Sequence, residues 1–205
     1  MAEIMAWVVK SKKGGVFTES ITVRKRTIIE RKYHSFNKKS MNNSDWSRFT
    51  QRISVNAPIQ KLYNAFATRY GMQQWFLRRC EYKREDDFLA DHEFIKEGDT
   101  YKWLWYGYPD STAETGEFLR ANDKNELQFI FGKAGTVTVK IHEEDNENVV
   151  ELTQENIPSD EASKFNFYVG CSTGWVFYLA NLKSIMEGGI DLRNKNVKLK
   201  TVLNS

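Results

Sequence analysis

The sequence predicts an α+β domain in which an antiparallel sheet with one apolar face is closed by a long helix near the C-terminus. Three observations carry that expectation. Residues 162–189 repeat apolar side chains at helical spacing, five runs between Tyr101 and Glu155 alternate apolar with polar residues, and a strand pattern followed by two short helical patterns precedes them.

Residues 1–40 stand apart from this plan. They hold ten Lys/Arg against three Asp/Glu, whereas the remaining residues hold 20 against 24, so the overall charge of +3 belongs to the first forty. They show no sustained period and are expected to be a basic upstream extension, disordered or outside the native protein, with Met41 as a start. The domain proper is expected over 41–193 and a tail over 194–205, the chain being peripheral from Asp191 onward. Without its first forty residues the chain has no basic excess with which to attract nucleic acid phosphates, so a nucleic acid partner is not expected.

From Phe49, the residues Phe49, Gln51, Ile53 and Val55 face one way and Arg48, Thr50, Arg52 and Ser54 the other, the period of a half-buried strand. Pro58 suits a first helical position, and Ile59, Leu62, Tyr63 and Phe66 then form an amphipathic helix that Gly71 is expected to break. Met72 to Leu77 follows as a second short helix and leads into a strand over Arg79 to Arg84. After the acidic loop Glu85 to Asp87 comes a meander, with strands at Tyr101–Tyr106, Ala113–Arg120, Leu127–Phe131, Thr136–His142 and Val149–Glu155. Turn-forming clusters such as Asn122-Asp123-Lys124-Asn125 and Asp145-Asn146-Glu147-Asn148 separate them at hairpin lengths.

The long helix carries Tyr168, Cys171, Trp175, Leu179, Leu182 and Met186 on one stripe, widened by Val176, Tyr178 and Ile185. Thr173, Asn181, Lys183, Ser184 and Glu187 make the opposite, polar face. Ser159 or Asp160 is expected to cap its start and the Gly188-Gly189 pair to close its end through a left-handed turn. A Trp buries roughly 150–250 Å², so at about 25 cal/mol per Å² leaving Trp175 wet would forgo roughly 4–6 kcal/mol. A sheet must cover the stripe.

Chemistry-bearing motifs are sparse. Cys80 and Cys171 form no CxxC pair, and His34, His92 and His142 are too far apart in sequence for a local metal motif. Adjacent acidic residues beside His92 and His142 would point to opposite strand faces, so both histidines are expected at the solvated surface. No nucleophile with a base, phosphate-cradling glycine loop or metal cluster is read, and no cofactor is expected. Two unpaired cysteines suit a reducing, cytoplasmic setting, and no run approaches the roughly 18 apolar residues of a bilayer span.

Several pieces resemble one family in their order and spacing: the strand and turn Ile53 to Pro58, Trp75-Phe76, the strand Tyr101-Lys102-Trp103-Leu104-Trp105, Gly116, and Gly174-Trp175 followed by Leu179, Leu182 and Lys183. Over about Phe49 to Arg193 the chain is similar to the START-like, helix-grip superfamily also called SRPBCC. Within it, the chain resembles the group related to the C-terminal domain of the activator of heat-shock protein 90 ATPase. The resemblance implies a birch-pollen-allergen-like fold: a curved antiparallel sheet of six to seven strands around the C-terminal helix, two short helices after the first strand, and an apolar cavity between them.

That cavity would be lined by Trp75, Phe76, Trp103, Trp105, Phe129, Phe131, Tyr168, Cys171, Gly174 and Trp175, although ordinary core packing would place aromatics at the same periods. Gly170 and Gly174 each cost roughly 1 kcal/mol relative to Ala in a helix interior. Close approach of the sheet or a turn is the expected reason, room for a ligand over the helix the other. Three functions remain open: a binding module for a hydrophobic small molecule or lipid, a chaperone-interaction domain acting on heat-shock protein 90, and a cavity enzyme such as a cyclase or hydrolase.

Overall fold

Eight strands form one antiparallel sheet in the order β1-β8-β7-β6-β5-β4-β2-β3. The computed structural model describes residues 45–196 together with Lys198 and Leu199. The expectations for residues 1–40 fall outside them, and those for the tail largely so. β1 (Phe49–Ser54) pairs with β8 (Glu147–Glu155), bringing Ile53 opposite Val150, so the first strand forms the sheet's edge beside the last. β2 (Arg79–Arg84), β4 (Thr100–Leu104), β5 (Glu114–Ala121), β6 (Glu126–Ile130) and β7 (Thr136–Glu144) fall within two residues of their expected bounds. β3 (Asp87–Phe88) is an eighth strand beyond the expected six to seven. Two residues carry no readable period, and Phe88 lies outward under the Lys83 ammonium.

One face of the sheet is apolar. Tyr101, Trp103, Phe118, Leu127, Phe129, Val137, Val139, Ile141, Val150 and Leu152 are buried there, alternating with polar residues on the opposite face, where Thr50 and Thr153 bond across strands. Gly116 is required by its cross-strand partner. A Cβ there would come within 2.6 Å of the Tyr101 hydroxyl, which donates to Ile130 O at 2.6 Å.

α1 (Ile59–Ala67) and α2 (Arg69–Trp75) follow β1. Pro58 is the residue before the helix, not its first. The break between the helices is made by Thr68, whose backbone is extended and whose hydroxyl accepts from Gly71 N at 3.0 Å while donating to Asn64 O at 2.8 Å. Gly71 therefore lies inside α2. Its missing side chain lets α2 cross α1 closely, since a Cβ would overlap Asn64 O and approach Ala65 Cα to 2.7 Å. The Trp75 indole completes this corner by donating to Ala65 O at 2.9 Å.

The long helix, α3, starts with an α turn at Glu161–Ser163, capped by the Asp160 carboxylate on Ser163 N. It widens to a π-helical stretch over Lys164–Val169 and continues as α-helix over Gly170–Met186. Gly188 ends it at φ +84°, in the left-handed region expected. Trp175, Leu179 and Leu182 are buried as the stripe requires, but Val176 faces solvent and Asn181 does not. Asn181 is fully buried, donating to Trp75 O at 2.6 Å and accepting from Leu192 N at 2.7 Å. Its amide is satisfied because the chain beyond α3 folds back over it.

That return stretch is not peripheral. Arg193 is 7% exposed and donates to Gln73 O, Gln74 O and Leu77 O at 3.1, 2.7 and 3.0 Å, covering the free carbonyls at the end of α2. Asp191 holds the same guanidinium at 2.6 Å. The arrangement is the helix-grip α+β fold: one open antiparallel sheet, two short helices after the first strand and a long C-terminal helix against the apolar face.

Candidate functional site

A cleft of about 330 Å³ opens between α3, the residue after α2 and the ends of β4 and β6. On α3 the row Asn166, Gly170, Gly174 and Tyr178, each four residues on, lines it, with Cys171 and Trp175 on the adjacent row. Phe76, Trp105 and Phe131 form the facing wall, and Tyr108 and Thr112 from the β4–β5 loop stand at its edge. The wide π turn ends where Asn166 and Gly170 meet the cleft; such turns interrupt helices frequently at functional sites.

The two helix glycines owe nothing to close packing. A Cβ on Gly174 would meet no atom within 4 Å, and one on Gly170 only Phe165 O at 3.8 Å. The expected approach of the sheet or a turn to these positions is therefore corrected, and the open space beside them is the cleft itself.

Six of the ten expected cavity residues come together here: Phe76, Trp105, Phe131, Cys171, Gly174 and Trp175. The other four lie elsewhere. Trp75, Trp103 and Phe129 are sealed in the core, Trp103 stacked on Tyr101 at 3.8 Å, and Tyr168 packs edge-on against Trp46 and Phe49. Trp175 stacks on Phe76 at 5.1 Å, and Phe76 in turn meets Trp103 and Trp105 edge-on, so Phe76 is the ring between the helix and the sheet tryptophans. The Trp175 indole donates to Gln154 Oε1 at 2.9 Å and the same amide donates to Ala134 O at 2.8 Å, which fixes the ring's edge.

Tyr108, Thr112, Asn166 and Tyr178 also line the cleft and are not among its expected lining residues. Tyr178 carried a signal, since it lies four residues beyond Gly174, but the loop residues carried none, because their placement depends on tertiary ties. Arg78 supplies them: its guanidinium donates to Trp105 O at 3.2 Å and pairs with Asp110.

The chemistry within reach is muted. Burial pushes the Tyr178 hydroxyl up to about 12 and raises the Cys171 thiol, to which the charge of Glu114 adds, so neither ionises readily near neutral pH. Burial also pushes the core thiol Cys80 up to about 12. His92 packs at a tilt against Tyr70 and His142 lies 3.4 Å from Glu144, both away from the cleft. Among the described residues, no group of three or more His, Cys, Asp and Glu is placed to hold a metal ion, and no helix is long and apolar enough to cross a membrane.

Comparison with known proteins agrees with this architecture. Residues 56–187 match the family described as Activator of Hsp90 ATPase homolog 1-like protein. No curated protein sequence matches the chain. Among solved structures, a protein from Staphylococcus saprophyticus is similar at TM-score 0.55 and 19% identity, covering 71% of this chain and 96% of its own. The Aha1 dimer from Colwellia psychrerythraea is similar at TM-score 0.52 and 17% identity, over 69% of this chain and 97% of its own. A protein from Cytophaga hutchinsonii gives 0.51 and 20%, over 68% and 93%. At these identities the likeness establishes the fold, whereas the sequence match spans well over half the chain. The chain belongs to the Activator of Hsp90 ATPase homolog 1-like family, within the START-like, SRPBCC superfamily.

Proposed function

We propose that the domain is a non-catalytic binding module for a hydrophobic small molecule or lipid, held in the cleft between α3 and the inner side of the sheet. The observation that carries this reading is the glycine row. Gly170 and Gly174 lower helix stability, yet no packed neighbour needs their small size, while six rings, Phe76, Trp105, Tyr108, Phe131, Trp175 and Tyr178, line the space beside them. Apolar walls with a few neutral polar groups, here Thr112 and Asn166, are the usual composition of a small-molecule site, and 330 Å³ lies at the small end of such sites. The two free cysteines support a cytoplasmic setting.

The test is a titration of fatty acids, flavonoids and a fluorescent apolar probe, combined with native mass spectrometry of the purified protein before and after organic extraction. Saturable micromolar binding to the wild type, weakened by Gly174→Leu, is the expected result. Its absence for every compound would refute the reading.

A second reading is a chaperone-interaction domain modulating the ATPase of heat-shock protein 90, which the family description favours. Stimulation of that ATPase by the isolated protein, without any bound small molecule, would support it. A cavity enzyme is less favoured, because the titratable groups lining the cleft that respond to their surroundings are shifted away from neutral pH.

A further inference from the structure

A second hollow, of about 410 Å³, shares no lining residue with the cleft. It opens where α2 crosses α1, against the end of α3 and the loop that follows β3. Ala65, Thr68 and Gly71, all buried, form its floor, and the partly buried Phe94, Ile185 and Met186 give it apolar walls. Lys61, Tyr70, Gln74 and His92 are exposed and stand around its mouth. The loop is pinned on both sides of His92. Tyr70 N donates to Asp91 O at 2.9 Å, Ile95 N donates to Ala67 O at 3.0 Å, and the Arg84 guanidinium donates to Phe94 O at 3.0 Å. The hollow is therefore shaped before any ligand enters, which lowers the ordering cost of binding.

Its charge sets it apart from the other polar hollows of the surface. One of those joins Arg48 and Lys140 to Glu151 and Glu155, and another joins Lys183 to Glu147 and Glu187, so each holds both signs. Here Lys61 lines the space and no carboxylate does. The acids that flank His92 in sequence are engaged elsewhere, Asp91 with Arg69 at 3.7 Å and Glu93 with Arg84. Asn64 adds an amide donor, because its oxygen already accepts from Gln60 at 2.9 Å. A positive mouth over an apolar floor is complementary to a ligand with one negative end and an apolar body.

We propose that this hollow binds a small carboxylate with an apolar body, the carboxylate at the mouth beside Lys61 and the body against Phe94, Ile185 and Met186. A carboxylate suits the mouth better than a phosphate group, since one ammonium offers a single point charge and no guanidinium fork lines the space. The nearby Arg69 is taken up by Cys80 O, Leu89 O and Asp91. The site stands whether or not the cleft beside α3 binds a ligand.

The experiment uses the full chain with 2-naphthoate and its uncharged analogue 2-naphthamide, followed by calorimetry and by the protein's backbone amide resonances. The acid should bind about fivefold more tightly than the amide at low salt, the attraction of a carboxylate and an ammonium about 4 Å apart in water. That ratio should shrink as salt is raised. Lys61→Met keeps the aliphatic stem at an exposed position and should bring the ratio close to one without moving the melting temperature. The amide signals of Gly71, Gln74 and His92 should shift on titration with the acid. Equal binding of acid and amide by the wild type, or a preference that survives Lys61→Met, would overturn the proposal. Shifts confined to Gly170 and Gly174 would also overturn it, by placing the acid in the cleft. Binding of 2-naphthyl phosphate more than tenfold tighter than the acid would overturn the choice of a carboxylate. Failure of both naphthyl probes to bind at millimolar levels would remove this site and leave the reading of the cleft untouched.

Discussion

Gly174→Ala should make the protein more stable and a poorer binder at once. The methyl group would meet no atom within 4 Å, so it costs nothing sterically. It removes the helix penalty of glycine, about 1 kcal/mol, part of which acts by restricting the unfolded chain. For a domain of this size, about 1 kcal/mol corresponds to a rise in melting temperature of about 2–4 °C. The same methyl protrudes into the 330 Å³ cleft and should weaken any ligand seated beside Trp175. Gly71→Ala is the control, because there the Cβ overlaps Asn64 O in a backbone crossing that cannot yield cheaply, and a loss of at least about 2 kcal/mol is expected. Thermal unfolding followed by circular dichroism measures both. A fall in melting temperature for Gly174→Ala would refute the claim that open space, and not packing, accounts for this glycine.

Three further outcomes follow from the packing. Trp175→Phe should cost about 1–3 kcal/mol, because it leaves the buried Gln154 oxygen without its donor; an unchanged denaturant midpoint would show that the indole bond contributes nothing. Arg193→Ala should cost about 3 kcal/mol by exposing three helix-end carbonyls and stranding Asp191, a fall of about 6–12 °C in melting temperature; a change under 2 °C would return this stretch to the periphery. Burial opposes ionisation of Asp191, but hydrogen bonds from Arg193 and Lys195 outweigh it and hold the carboxyl well below the usual range. Its folded pKa being depressed, its contribution is present above about pH 4 and lost as pH falls through the folded value. Asp191→Asn should therefore show a flatter loss of stability than wild type below pH 4, and parallel curves would contradict that.

Periodic features were legible because each is written many times over. The alternation in β7 and β8 and the steps through Trp175, Leu179 and Leu182 repeat the same instruction, so strand bounds and the helix emerged with small errors. Single residues were harder. Asn181 sits three residues after Tyr178 and four before Ile185, a position inside the apolar stripe, but its polarity suggested solvent; Trp75 O and the returning Asp191–Arg193 segment together satisfy its amide. Gly71 and Gly174 are both helix-interior glycines, one required by a backbone crossing and the other facing open space, and composition does not separate the two. The same holds for the site. Trp103 and Trp105 fall in one expected strand, yet the first is sealed in the core and the second, past the observed strand's end, reaches the cleft. Inward direction is a matter of period, whereas whether an inward ring meets another ring or a void depends on how far α3 stands from the sheet.

The most direct measurement is calorimetric titration of an apolar probe into wild type and Gly174→Leu at several temperatures, with unfolding curves of both. The account predicts saturable micromolar binding by the wild type with a negative heat-capacity change, and loss of that binding in a variant that still unfolds cooperatively. No saturable binding by the wild type, or equal binding by a folded Gly174→Leu, would contradict the claim that the space beside the long helix is a ligand site.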